Sequence, residues 1–134
     1  MPDWELLLTV GLPRSGKTTW ALKSPYPVVN RDAIRLALHG HAYLQAAEDM
    51  VTAIETYMVG ALFYAGHNSV IVDACHMKKK YRDRWKWDEW KIKTIIFDTP
   101  ADICIQRARA TDRGDLVSVI ERMAKHAEWP NDID

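Results

Sequence analysis

Glu5-Leu-Leu-Leu-Thr-Val-Gly-Leu-Pro-Arg-Ser-Gly-Lys-Thr-Thr-Trp-Ala-Leu-Lys23 decides how the rest of this chain is read. Its first part is a short apolar run ending in Gly11, the pattern of a strand buried in a parallel sheet. Helical propensity returns from Lys17 to Lys23, and Pro25 and Pro27 stop that helix. Between the two, Gly11-Leu-Pro-Arg-Ser-Gly-Lys-Thr18 matches G-x-x-x-x-G-K-[ST] without a gap. Gly11 and Gly16 permit backbone angles and close approaches that a side chain blocks. The loop amides and the helix N-terminus then form an anion cradle. In such a cradle Lys17 is expected to bridge the β- and γ-phosphates of ATP or a similar nucleoside triphosphate, and Thr18 to offer its hydroxyl to Mg²⁺. Arg14 is placed to meet either phosphate or solvent.

Outward from the loop, strands and helices alternate. Val28-Val-Asn30 reads as a second strand and Arg31–His39 as a helix, with Asn30 or Asp32 as cap and Gly40 as stop. From Tyr43 to Tyr64, apolar residues including Met50, Val51, Ile54, Met58 and Leu62 recur at helical spacing, with Glu48, Asp49 and Glu55 between them. This predicts one long amphipathic helix whose stripe, Met50 and Met58 included, enters the core. Ser69–Asp73 is a third strand, Lys78–Glu89 a polar helix, Lys91–Phe97 a fourth strand and Ala101–Thr111 a helix after Pro100. Arg113–Asp115 reads as a loop and Leu116–Glu128 as the last helix; Trp129–Asp134 carries no strand pattern. The alternation implies an α/β fold with a small parallel sheet of four to five strands. Ligands bind such sheets beyond the carboxyl ends of the strands, where Gly11–Thr18, Asp32, Asp73 and Asp98 all fall.

A length of 134 residues suits one domain, residues 1–134. Hydrophobic residues make up 48% and charged residues 27%, the balance of an ordinary soluble globular protein. Net charge is zero, so attraction to nucleic acid or membrane requires a local patch. No secretory signal precedes Gly11, and no apolar stretch reaches the roughly 20 residues that span a bilayer. Cys75 and Cys104 lie far apart and are expected to be reduced thiols, which points to a cytoplasmic location.

Asp32, just past the second strand, is expected to face the γ-phosphate. An alcohol attacking phosphorus must lose its proton, and a carboxylate within hydrogen-bond reach can take it. Capping the helix is the simpler role for such an Asp, and the two are compatible. Arg35 lies one turn on, on the same side as Asp32, placed either to bind an acceptor phosphate or to face solvent. Ser69-Val-Ile-Val-Asp73, an apolar strand ending in an acid, places Asp73 to hold Mg²⁺ directly or through water. Arg107, Arg109 and Arg113 follow the fourth strand, and Arg113-Gly114 suits a mobile lid tip whose guanidinium stabilises transferring charge. Expected nucleotide contacts are Gly11, Pro13, Arg14, Ser15, Gly16, Lys17, Thr18, Thr19 and Arg107.

Together, Leu6–Ala21, Asn30-Arg-Asp-Ala-Ile-Arg35, Val70-Ile-Val-Asp73 and Phe97-Asp-Thr-Pro100 with its following arginines resemble the 5′-kinase domain of phage-type polynucleotide kinases. The resemblance covers most of the chain. It implies a P-loop NTPase fold of nucleotide-kinase type, a three-layer α/β/α arrangement. It further implies Lys17 and Thr18 on phosphate and Mg²⁺, Asp32 as general base and Arg35 on an acceptor phosphate. Asp73 would support the metal, and Arg113 would be the lid arginine. The implied reaction is ATP-dependent phosphorylation of a 5′-hydroxyl on DNA or RNA. Arg14 stands where a glycine is frequent, Ala33 where an acid often follows the catalytic Asp, and Ala74-Cys-His-Met77 where relatives are more polar. The phosphatase domain of the best-known members is absent from this sequence, so no 3′-phosphatase activity is expected.

Lys78–Lys93 has eight basic and three acidic residues interleaved with Tyr81, Trp85, Trp87 and Trp90. Such a stretch either stacks bases while its cations meet phosphates, or is a solvated helix with its aromatics on the core. His76 beside Cys75 has no second pair at ligand spacing, so zinc is not expected. Two other readings keep the loop: a kinase for a nucleoside, modified base, sugar or other small alcohol, and a nucleotide-binding module without transfer activity.

Overall fold

The computed structural model describes residues 3–131. Four strands, β1 (Trp4–Gly11), β2 (Val28–Asn30), β3 (Ser69–Asp73) and β4 (Trp90–Phe97), form one all-parallel sheet in the order β2-β3-β1-β4. The helices are α1 (Lys17–Lys23), α2 (Arg31–His39), α3 (Glu48–Tyr64), α4 (Lys79–Asp83), α5 (Ala101–Ala110) and α6 (Val117–Lys125). β1 is apolar throughout its middle because it is flanked on both edges and covered on both faces. Leu6 pairs with Val70 on one side and Ile92 on the other. Leu6 and Leu8 join Val70, Val72, Trp85 and Trp90 against Ile34 of α2 and Val51, Val59 and Phe63 of α3. Leu7 and Ile71 point the other way, onto Ala21 and Trp20 of α1. A third cluster packs Val10, Leu12 and Met77 on Cys104, Ala108 and Ile120 of α5 and α6. Helices thus cover both faces of the sheet, the three-layer arrangement expected.

Local chemistry sets the ends of α2. The Asn30 carboxamide oxygen accepts from the Ala33 amide at 2.7 Å, so Asn30 and not Asp32 is the cap. Gly40 closes the helix at φ 77°, a left-handed angle that glycine adopts without steric cost.

α3 departs from the sequence expectation. It begins at Glu48, after a 3₁₀ turn at Gln45–Ala47, rather than at Tyr43. Its buried stripe is Val51, Glu55, Val59 and Phe63, whereas Met50 is 57% exposed and Met58 37%. The phase differs because Glu55 belongs to the inner face. Arg31 donates to its Oε1 at 2.8 Å and neutralises it there. Apolarity alone cannot phase a helix whose core contact includes a carboxylate.

The polar helix expected over Lys78–Glu89 is a single short turn, α4, followed by turns. Trp85 and Trp90 are both buried, and the Trp90 indole N–H donates to the Trp85 carbonyl at 2.8 Å. That inward turn toward the core ends the helix. The last helix also stops early, at Lys125 instead of Glu128. The Glu128 amide donates to the Met77 carbonyl and its carboxylate accepts from the Lys79 amide, which draws the chain away from the helix axis. No fifth strand occurs among the described residues.

Removing Arg31 should leave the Glu55 carboxylate buried without its cation. Arg31→Met is expected to cost about 3–5 kcal/mol at neutral pH by chemical denaturation. Burial already pushes the Glu55 carboxyl up, so in the variant the deficit should be full above its folded pKa and shrink as pH falls and the group binds a proton. A deficit that does not shrink as pH falls would count against charge burial as the cause.

Candidate active site

The phosphate-binding loop closes on itself around its lysine. A side chain on Gly11 would place its Cβ 2.6 Å from Ser15 Oγ and 2.8 Å from the Phe97 carbonyl, so only glycine fits where β1 ends. Gly16 stands at φ 102°. Lys17 is buried, and its ammonium donates to the Leu12 carbonyl at 2.6 Å. The buried Ser15 is tied to the end of β4, its carbonyl accepting from the Thr99 hydroxyl at 3.0 Å. Arg14 adopts φ 68°, the left-handed region that costs a side-chain-bearing residue roughly 1–2 kcal/mol. This explains why glycine suits that position. The Arg107 guanidinium donates to the Arg14 carbonyl at 3.2 Å and braces it. Pro13 is half-buried in the loop, and Thr19 lies exposed in the first turn of α1.

One carboxylate joins this loop to the neighbouring strands. Asp73 Oδ2 accepts from the Thr18 hydroxyl at 2.7 Å and from the Asn30 carboxamide at 2.8 Å, while Oδ1 accepts from the Thr9 hydroxyl at 3.3 Å. A hydroxyl that gives its proton to a carboxylate turns its lone pairs outward. Thr18 and Asp73 therefore form a hard-oxygen pair suited to Mg²⁺, which usually takes one or two protein ligands and completes its shell with water and phosphate. Among the described residues no group of three or more His, Cys, Asp or Glu side chains is placed to hold a metal ion.

Asn30 carries the connection onward, since its other amide atom caps α2, whose second residue is Asp32. The Asp32 side chain is 80% exposed and accepts from Arg35 at 2.8 Å. Arg35 also grips Glu48 through two bonds, 2.9 and 3.0 Å, and Arg31 bonds both Glu48 and Glu55. Arg35, with help from Arg31, holds the Glu48 carboxyl down at about 2. Arg113 pairs with Asp115 at 3.0 Å and lies within electrostatic reach of Asp32. The Cys75 thiol, pushed up by burial, lies within reach of Lys17, Asp32 and Asp73. These groups therefore gather around one end of the sheet, where the exposed Asp98 also follows β4, while Arg109 lies exposed on α5. Sequence reading missed Asn30 and Glu48. Asn30 was visible only as a cap, and Glu48 has the pattern of any surface acid on an amphipathic helix.

His76 props this arrangement from below. It is buried at φ 47°, and its Nδ1 lies 2.7 Å from the Thr9 carbonyl, so that nitrogen carries the proton and donates. Burial lowers its pKa to about 4.

Residues 6–130 match the AAA domain family model, and the chain belongs to that family. A chain in the structure of the Pnkp1/Rnl/Hen1 complex is 27% identical over 80% of this chain, with a TM-score of 0.71. A chain of the Pnkp1/Rnl/Hen1 RNA repair complex is 21% identical over 96%, with a TM-score of 0.69. This chain spans 40% and 47% of those two, less than half their length. A gluconokinase from Sinorhizobium meliloti 1021 shares the fold at a TM-score of 0.66 and 17% identity, covering 98% of this chain and 79% of that one. The domain is thus a P-loop kinase-like α/β domain resembling the polynucleotide kinase group. No helix among the described residues is long and apolar enough to cross a membrane.

Two outcomes follow from this geometry. Gly11→Ala should destabilise the protein by about 1–3 kcal/mol, since the Phe97 carbonyl is backbone and cannot rotate aside. ATP affinity, read by calorimetry, should fall with it. For His76 the folded pKa lies below the ordinary value, so its contribution is full above about 6.5 and lost as pH falls toward about 4. His76→Asn, which tolerates a positive φ, should flatten the stability–pH slope in that window. An unchanged slope would assign the acid sensitivity elsewhere.

Proposed function

We propose that this member of the AAA domain family is an ATP- and Mg²⁺-dependent kinase, residues 1–134 forming one catalytic domain, whose acceptor is the 5′-hydroxyl of a polynucleotide. The observation that supports this most directly is the Asp73 carboxylate bonded to both Thr18 and Asn30, which ties a phosphate cradle to the helix that presents Asp32. Lys17 exchanges the Leu12 carbonyl for the β- and γ-phosphates. The loop residues Gly11, Pro13, Arg14, Ser15, Gly16, Thr18 and Thr19 line the donor, with Arg107 beside them. Mg²⁺, held by Thr18 and Asp73, would neutralise the charge shared by the β- and γ-phosphates. Asp32 accepts the acceptor's proton as its oxygen bonds to the γ-phosphorus and ADP departs. Arg35 orients Asp32 and contacts an acceptor phosphate, and Arg113 moves over the transferring group. The free thiols of Cys75 and Cys104 support a cytoplasmic setting.

A second reading, a small alcohol as acceptor, is favoured by one finding. The gluconokinase, and a Mycobacterium tuberculosis APS kinase solved with AMPPNP and APS, superpose over 98% and 84% of this chain. Incubation with γ-labelled ATP, Mg²⁺ and, separately, 5′-hydroxyl oligonucleotides, nucleosides and sugars distinguishes the two. Label on oligonucleotide ends is expected, reduced about 10²–10⁴-fold in Asp32→Ala and lost in Lys17→Ala. Transfer to small molecules alone would establish the second reading. ATP binding without transfer to any acceptor would leave a nucleotide-binding module.

A further inference from the structure

The 16 residues from Lys78 to Lys93 hold a surplus of five positive charges in a chain whose net charge is zero. Their aromatics divide cleanly. Trp85 and Trp90 are spent on the core, whereas Tyr81 and Trp87 are left exposed, at 40% and 56%. The cations divide as well. Lys79 and Lys86 share the Asp83 carboxylate at 2.7 and 3.0 Å, and Arg82 is buried with its guanidinium on the His76 carbonyl. Lys80 and Arg84 are different: both are exposed, and each lies over the Tyr81 ring, at 5.2 and 5.3 Å from its centroid.

Arg84 makes no hydrogen bond or ion pair to a carboxylate among the described residues, unlike Arg31, Arg35 and Arg113. A guanidinium held over an aromatic ring is attracted by the ring's face without an ion pair. Its in-plane N–H fork stays available, and that fork matches a phosphate's paired oxygens. Arg84 also lies within electrostatic reach of Arg31, Glu48 and Glu55, the network beneath α2. It therefore stands near the ion network that underlies the helix carrying Asp32. Partial burial and the neighbouring Arg31 lower its pKa.

We infer that Lys80 and Arg84, held over the Tyr81 ring, bind a backbone phosphodiester of a single-stranded polynucleotide, one or more nucleotides beyond its reacting 5′ end. This rests on the polynucleotide reading given above and deepens it. A nucleoside or sugar has no phosphodiester to offer, so the cluster selects for chain length. It supplies the local patch that a chain of zero net charge needs in order to hold a polyanion. The energy comes from charge and counterion release rather than from reading bases, so sequence preference at this point should be weak.

The test uses the full chain and a fluorescent 5′-hydroxyl single-stranded DNA of ten nucleotides, with binding read by anisotropy across a salt series. Arg84→Gln should weaken binding about tenfold, the worth of one charge-assisted bond. It should also lower the magnitude of the log–log salt slope by about 0.7, one phosphate contact on a single strand. Lys80→Gln should act in the same direction, and Tyr81→Phe, which keeps the ring, should change little. ATP affinity and the KM for a nucleoside 3′-phosphate should be unchanged in all three. Oligonucleotide affinity and salt slope equal to wild type in Arg84→Gln would overturn the inference, even with polynucleotide phosphorylation intact. Weakened ATP binding in that variant would overturn it too, by moving Arg84 to the donor side. Loss of oligonucleotide binding in Arg84→Gln, in a protein that phosphorylates no oligonucleotide, would uphold the docking site while removing the kinase reading.

Discussion

The Asp73 carboxylate is the joint on which the site depends. It is almost fully buried, yet three donors reach it: Thr9 from β1, Thr18 from α1 and Asn30 at the end of β2. Only the end of β3 permits this, because β3 lies between β2 and β1. A buried carboxylate is costly unless its oxygens are answered, and here the answering groups are the ones that need positioning. Satisfying the charge and aligning the site are one event. Asn30 extends the alignment by one step, since its second amide atom caps the helix that carries Asp32.

Beneath that helix the contact with α3 is ionic. Arg31, Arg35, Glu48 and Glu55 form a chain of short bonds at the α2–α3 interface, with Glu55 fully buried and one of its oxygens without a partner among the described residues. Buried ion pairs add little net stability compared with well-packed apolar groups, but breaking one is expensive. Such an interface resists sliding more than it strengthens the fold. With Asn30 holding one end of α2 and the ion network its side, Asp32 is the exposed residue of a fixed frame.

Among the described residues three other than glycine take left-handed angles, Arg14, His76 and Asp112, the last in the turn after α5. Arg14 and His76 are each held there by a named partner. Arg107 braces the Arg14 carbonyl, and the Thr9 carbonyl accepts a hydrogen bond from the His76 Nδ1–H. Positive φ at residues with side chains persists where the surroundings over-determine it.

Much of this protein was legible in its sequence. Gly11–Thr18 between an apolar run and a helix specifies the cradle, because the steric demand on Gly11 and Gly16 and the charge of Lys17 are local properties. The four strands and the bounds of α1 and α2 follow from apolar runs, prolines and Gly40 for the same reason. The phase of α3 was not legible: it depends on Arg31 arriving from another helix to neutralise Glu55, and periodicity counts such a residue as polar. Nor was the short extent of α4, which depends on a carbonyl offered to the Trp90 indole after the chain has turned. Asn30 was legible as a cap but not as a partner of Asp73, and Glu48 carries no signal of its own; both depend on what the sheet order and helix packing bring to them. Local sterics and charge spacing are written along the chain, whereas the partner that satisfies a buried charge is decided only when distant segments meet.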